Sequence, residues 1–322
     1  MKSRQEKLSL FILLAQGLGL LLTLIGSFIG GIYMFNGEWL YAFPLSVLFV
    51  VALYYLVIFF CKEKENRRRK GYPKIFYYLF GAYGLLAMIL SFFVLHFFNV
   101  EINEKAEIQA AANRKIETLK GIYTSYDDQY QQFLVALETT MNYELTQLSS
   151  DPSKSLATKA RLGQSPYNLD GSDVDRIVNS PDISQQIKTI LASRSLEFNL
   201  HKKAVLSKNS TIQVSTFEDY INKQEKIVST WDRFSVASSL SELNGRITED
   251  YDALNVYLTG QTANQYSISL SNGIDRDETL IAQPTTLASK HMGPASLLFL
   301  IFFNVLILLP YFLTRGKTFG NQ

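Results

Sequence analysis

The sequence predicts an all-α membrane protein in which four transmembrane helices carry a mainly helical extracytoplasmic domain, a bundle of long antiparallel helices, between spans 3 and 4. Three observations lead there. Four apolar runs, 8–35, 39–60, 75–98 and 294–314, contain no Asp, Glu, Lys or Arg, and each reaches the ~20 residues that cross a ~30 Å hydrocarbon core as a helix. The Lys- and Arg-bearing N-terminus, second connection and C-terminus all fall on one side if there are four spans. The long charged segment between the last two runs carries apolar residues at alternating steps of three and four.

The first run competes with a cleavable signal peptide, whose apolar core is ~7–15 residues. This run is far longer and no small-x-small cleavage site follows it, so it reads as a retained span. Its connection to the second run, Asn36, Gly37 and Glu38, has no positive charge. The next connection, 61–74, holds Lys62, Lys64, Arg67, Arg68, Arg69, Lys70 and Lys74, while Lys2, Arg4 and Lys7 precede span 1 and Arg315 and Lys317 follow span 4. Positive charge near span ends is held in the cytoplasm. Both termini and 61–74 are therefore expected there, with 99–293 across the membrane. The division is 1–98 for three spans, 99–293 for the outer domain, and 294–322 for span 4 and a short tail. Topology accounts for the basic run, and no nucleic-acid partner is expected. The outer domain has 19 Lys and Arg against 25 Asp and Glu, a formal charge of −6.

Within the spans, Gly26 and Gly30 form a GxxxG, and Gly81 and Gly84 recur in span 3. Small residues at this spacing let helix backbones approach closely. Asn304 is central in span 4, where an amide surrounded by lipid demands an interhelical hydrogen bond. Pro44 and Pro310 would bend their spans modestly. No span holds an ionisable group except His96, one turn from the outer edge, where the imidazole is expected to reach water.

In the outer domain Ile116, Leu119, Tyr123, Tyr126, Tyr130, Phe133, Leu137 and Met141 define a helical stripe, continued by Leu145 and Leu148. Without a break, a helix from Asn99 to Leu148 would extend ~75 Å at ~1.5 Å per residue; Gly121 is its weak point. The Ser-, Asp-, Gly- and Pro-rich stretch from 149 to 181 reads as loop with one short helix. A helix is expected to open at Pro181, although Leu196, Phe198 and Leu200 alternate as in a strand. Further helices are expected behind Thr216-Phe217-Glu218-Asp219, a capping-box pattern, and behind Ser239-Leu240-Ser241-Glu242, the latter stopped by Gly260. Residues 266–270 alternate like a strand that ends in the turn Ser271-Asn272-Gly273.

Cys61, the only cysteine, lies at the inner end of span 2, so the outer domain has no disulfide. Extracellular animal domains usually do, which favours the bacterial inner membrane and periplasm. His201 and His291 have no Cys or carboxylate at metal-ligand spacing. No GxSxG, HExxH or phosphate-cradling loop occurs, and Asp127, Asp128, Asp170, Asp173 and Asp175 lack the calcium-loop pattern. No catalytic, cofactor or metal residue is assigned; a non-enzyme without cofactors is expected.

The layout of four spans with a large second outer loop is shared with tetraspanins, but that family's Cys-Cys-Gly motif is missing. A sensor with a helical ligand-binding domain is an alternative, and with about eight residues after span 4 it would have to signal laterally. The expectation is a scaffold subunit: a membrane anchor holding a helical stalk for other envelope proteins, itself a homo-oligomer in the lipid bilayer. The Lys-, Asn-, Ser- and Tyr-rich composition is similar to that of Bacteroidota proteins. In that group the arrangement of the whole chain resembles the TssN family, the multi-span inner-membrane subunits of a variant type VI secretion system. The resemblance implies TssO, TssP, TssQ and TssR as partners in an envelope-spanning complex, and no site residues are carried over from it. On this layout cysteines introduced at Ser172 and Ser239 react with an impermeant maleimide once the outer membrane is permeabilised, and Cys61 does not; labelling of Cys61 with silence at both serines inverts the topology.

Overall fold

The computed structural model describes residues 2–65, 72–208, 217–271, 273–275, 277 and 279–313. Arg67 to Lys70, Thr216, Asn272, Arg315 and Lys317 lie outside them. All regular structure among the described residues is helical: α1 (Lys2–Met34), α2 (Trp39–Glu65), α3 (Tyr72–Phe98), a π-helix (Asn99–Glu104), α4 (Lys105–Ser150), α5 (Ser155–Leu162), α6 (Gly171–Val178), α7 (Ile183–Lys208), α8 (Phe217–Thr230), α9 (Val236–Gln261), α10 (Pro284–His291) and α11 (Pro294–Leu313), with short 3-10 turns at Pro152–Lys154 and Leu280–Ala282. The chain forms two compact units.

The first unit comprises Met1–Ala112, Ile227–Ser241 and Glu278–Gln322. It contains four helices long and apolar enough to cross a membrane: α1, α2, the helix that begins with α3, and α11. Leu53, Val57, Phe60, Tyr83, Leu90 and Ile307 form their shared core, with Leu20, Leu24 and Tyr311 against it. Outward, Leu14, Leu48, Leu85 and Met88 are more than 60% exposed, an apolar surface too extensive for water and suited to lipid. Hydrocarbon outside gives no drive to bury apolar surface, so close backbone approach carries the association. A Cβ on Gly30 would lie 2.1 Å from the Phe93 carbonyl oxygen, and one on Gly26 would rest on Val94 and Phe97. A Cβ added at Gly81 or Gly84 would meet nothing within 4 Å among the described residues. Asn304 accepts a hydrogen bond from Tyr83 of α3 at 3.1 Å and donates to the Leu300 carbonyl. α2 and α11 run through Pro44 and Pro310.

The second unit comprises Asn113–Lys226 and Glu242–Asp277. All eight stripe residues from Ile116 to Met141 are buried, as are Leu145 and Leu148. Their centre is aromatic: Phe198 of α7 stacks on Tyr130 at 5.2 Å between ring centroids, meets Phe133 edge-on at 6.1 Å, and takes Tyr257 of α9 on another side at 5.5 Å. Such pairs add ~0.5–1.5 kcal/mol each to the burial itself. α4 passes Gly121 unbroken.

Several expectations are corrected. Residues 149–181 contain two helices, α5 and α6, which bury Leu162, Val174 and Ile177. The alternation at Leu196, Phe198 and Leu200 belongs to α7, with only Phe198 inward. α9 opens at Val236, ahead of Ser239, and outlasts Gly260 to end where Ala263 and Asn264 turn left-handed. No strand forms at 266–270: the Ile268 N–H goes to the Asn255 side chain and the Ser269 N–H to Ser125 Oγ, so side chains replace a ladder. Cys61 and Ser239 are both buried, so silence toward maleimide at either is uninformative, and the adjacent exposed Lys62 is the better probe of that end of α2. The seam gives a direct test. Phe133→Ala should destabilise the protein by about 3–5 kcal/mol, read as thermal unfolding in detergent, whereas Gln132→Ala beside it should stay within about 0.5 kcal/mol.

Candidate functional site

The first charged residue after the third apolar run, Glu101, lies in the π-helix. This wide turn carries one residue more than an α-turn, and such turns recur at functional sites. It buries Asn99, Val100 and Glu104 and leaves the Glu101 side chain only 7% exposed. Its carboxylate accepts from the Tyr33 hydroxyl at 2.5 Å, from Trp231 Nε1 at 3.2 Å, and from Arg233 through Nε at 2.6 Å and a second guanidinium nitrogen at 3.2 Å. Tyr33 belongs to α1, and the other two belong to the α8–α9 connection. Burial alone would raise the Glu101 carboxyl, but hydrogen bonds from Arg233, Tyr33 and Trp231 outweigh it and hold the group below the usual carboxylate range.

The connection is shaped for this grip. Trp231 ends α8 in a left-handed conformation, φ 53°, a strain of about 1–3 kcal/mol for a bulky residue. Lys105 lies over its ring at 5.2 Å. Asp232 then accepts from the Phe234 N–H and the Ser235 hydroxyl, which sets the direction of α9. Beneath it Gly37, φ 89°, comes so close to the first turn of α9 that an added Cβ would sit 2.9 Å from Ser238. Glycine is demanded there by conformation and by space.

One turn on, Glu104 forms a second clasp, 2% exposed, with Lys290 at 2.8 Å and with His291. Lys290 also reaches Glu107 at 3.0 Å. Burial opposes the charge on Glu104, but Lys290 and His291 overcome it and its carboxyl is held low. Asn99 donates to the Leu287 carbonyl at 3.4 Å. Contrary to expectation His96 does not reach water: it is 2% exposed and donates through Nε2 to the Ile281 carbonyl at 3.0 Å. These bonds tie α10 and the turn before it to the end of α3 and the π-helix.

The second unit has its own buried polar groups. Asp250 of α9 accepts from Tyr123 at 2.6 Å and from Arg246 at 3.1 Å, and the Arg246 guanidinium covers the Tyr220 ring at 4.0 Å. Lys115, 1% exposed, extends its ammonium to Asn244 Oδ1 at 2.8 Å, to the Asp277 carbonyl at 2.6 Å and to the Asp275 carbonyl at 3.2 Å.

Of the residues singled out in the sequence, Gly26, Gly30 and Asn304 lie at helix contacts of the first unit, and the stripe lies in the core of the second. At Gly81 and Gly84 the space beside the backbone is open among the described residues. Sequence reasoning missed Glu101, Glu104, Trp231, Arg233 and Lys115. The available signal for the first was its place: a carboxylate three residues beyond an apolar span needs a partner. Among the described residues no three His, Cys, Asp or Glu stand together as a metal site. No family model, curated protein or solved structure matches the chain.

The clasp predicts a distinct pH response. Because the folded-state carboxyl of Glu101 is depressed, its stabilisation is complete above the unfolded value of ~4.3 and is lost as pH falls through the lower folded value. Glu101→Gln should therefore flatten the acid limb of stability against pH, and Glu101→Ala should cost about 2–4 kcal/mol through the donors left unpaired. Thermal unfolding between pH 3 and 7 measures both.

Proposed function

We propose that this chain is a non-enzymatic inner-membrane anchor and periplasmic scaffold subunit of a multiprotein envelope-spanning complex, of the kind represented by the type VI secretion membrane complex. In this reading both termini are cytoplasmic and residues 99–293 face the periplasm. The observation that carries it is the pair of carboxylate clasps. Glu101 and Glu104 fasten the α8–α9 connection and α10 to the helix leaving the membrane, which braces the first unit beside its spans, as an anchor requires. The aromatic core of the second unit supports the same reading, because it favours one rigid state over several.

A sensor that signals laterally is the second reading, and one observation favours it: the π-helix and the left-handed Trp231 are strained elements beside a charge, the setting in which switches are built. Isolation of the protein from its host in mild detergent separates the two. The scaffold should bring with it other envelope proteins in fixed stoichiometry, identified by mass spectrometry. A protein that isolates alone, and whose melting temperature rises with a small ligand, is the sensor. Orientation is tested in a Cys61→Ser background: an impermeant maleimide should label Ser172→Cys and spare Lys62→Cys.

A further inference from the structure

Phe234 is the residue that the clasp leaves unexplained. It follows Arg233 in the α8–α9 connection, its backbone is held by Asp232, and its ring is 57% exposed. A single exposed phenylalanine on a water-facing loop would be unremarkable. This one is not among water-facing neighbours. Its ring lies 6.2 Å from that of Phe28, and Phe28 meets Phe43 edge-on at 5.5 Å. Phe28 sits six residues inside the end of α1 at Met34, and Phe43 four residues inside the start of α2 at Trp39. At ~1.5 Å per residue these are depths of about 9 and 6 Å below the helix ends. Phe43 is 47% exposed on the outward face of an apolar helix, so the surface that it shares through Phe28 with Phe234 is continuous with the lipid-facing surface of the spans.

We propose that the α8–α9 connection is a membrane-contacting element in its own right: Phe234 seats its ring in the bilayer beside Phe28 and Phe43, and lipid is what covers it. The inference rests on the reading that the four apolar helices span a membrane. Its chemistry is that of interfacial anchors, which bury an apolar face ~5–10 Å into the headgroup and acyl boundary. Glu101 neutralises Arg233 at the level where a charge is tolerated, and the next residue points its ring into the apolar layer. A Cβ added at Gly37 would lie 3.3 Å from the Phe234 carbonyl oxygen and 2.9 Å from Ser238, so the glycine lets the connection sit close against the α1–α2 turn.

The test uses the full chain in a Cys61→Ala background, reconstituted in nanodiscs of phosphatidylethanolamine and phosphatidylglycerol, with a nitroxide at Phe234→Cys. Reference labels are placed at Leu48→Cys, 64% exposed on α2, and at the exposed Ser172→Cys. Collision rates with oxygen, which concentrates in lipid, and with a water-soluble nickel complex are compared. The label at 234 should give an oxygen-dominated ratio like that at Leu48, with the opposite ratio at Ser172. A nickel-dominated ratio at 234 with Leu48 still oxygen-dominated overturns the insertion of Phe234 and leaves the spans intact. A nickel-dominated ratio at Leu48 as well overturns the membrane-spanning reading and the proposal together.

Discussion

The first unit depends on carboxylates kept where charge is costly, Glu101 above all. Taking a carboxylate out of water costs several kcal/mol even after relaxation, and Glu101 is withdrawn from water directly beyond an apolar span. It is stable there because a phenol, an indole and a guanidinium converge on it from two other parts of the chain. The dependence runs both ways. Without the carboxylate, the left-handed backbone at Trp231 would lose the indole and guanidinium bonds that offset it, and the connection that joins α8 to α9 would lose its tie to α1 and the π-helix.

The two units solve the packing of helices in different ways because they are matched to different solvents. In the first, apolar side chains gain little by leaving lipid, so contact relies on the missing side chain of Gly30 and on the hydrogen bond between Tyr83 and Asn304. The second follows the logic of water-soluble cores. There large rings interlock around Phe198, and the polar ends of Tyr123 and Tyr126 find Asp250 and the Phe198 carbonyl. Tyr123 and Tyr126 are thus satisfied at both the apolar face and the hydroxyl.

What was legible in the sequence was what local spacing encodes. The four apolar helices are visible as uncharged runs, and the buried face of α4 as a three-four rhythm from Ile116 to Met141. Alternation misled wherever only one residue of a set was buried. Phe198 and Ile268 are such cases, one in a helix and one in a segment whose backbone bonds to side chains. The clasp was hidden for another reason. Glu101 stands in a charged stretch that reads as solvated helix, and its partners lie 68, 130 and 132 residues away. No local rhythm records a meeting of that kind.

Lys115 has a consequence of another sort. Its ammonium is surrounded by the carbonyls of Asp275 and Asp277 and the amide oxygen of Asn244, the all-oxygen cage in which many proteins house a calcium ion. Here the cation is covalently part of the chain. A segment organised around such a built-in ion keeps its shape whatever the mineral content of its surroundings, and a chelator finds nothing to extract. That independence is a form of environmental insulation written into one side chain.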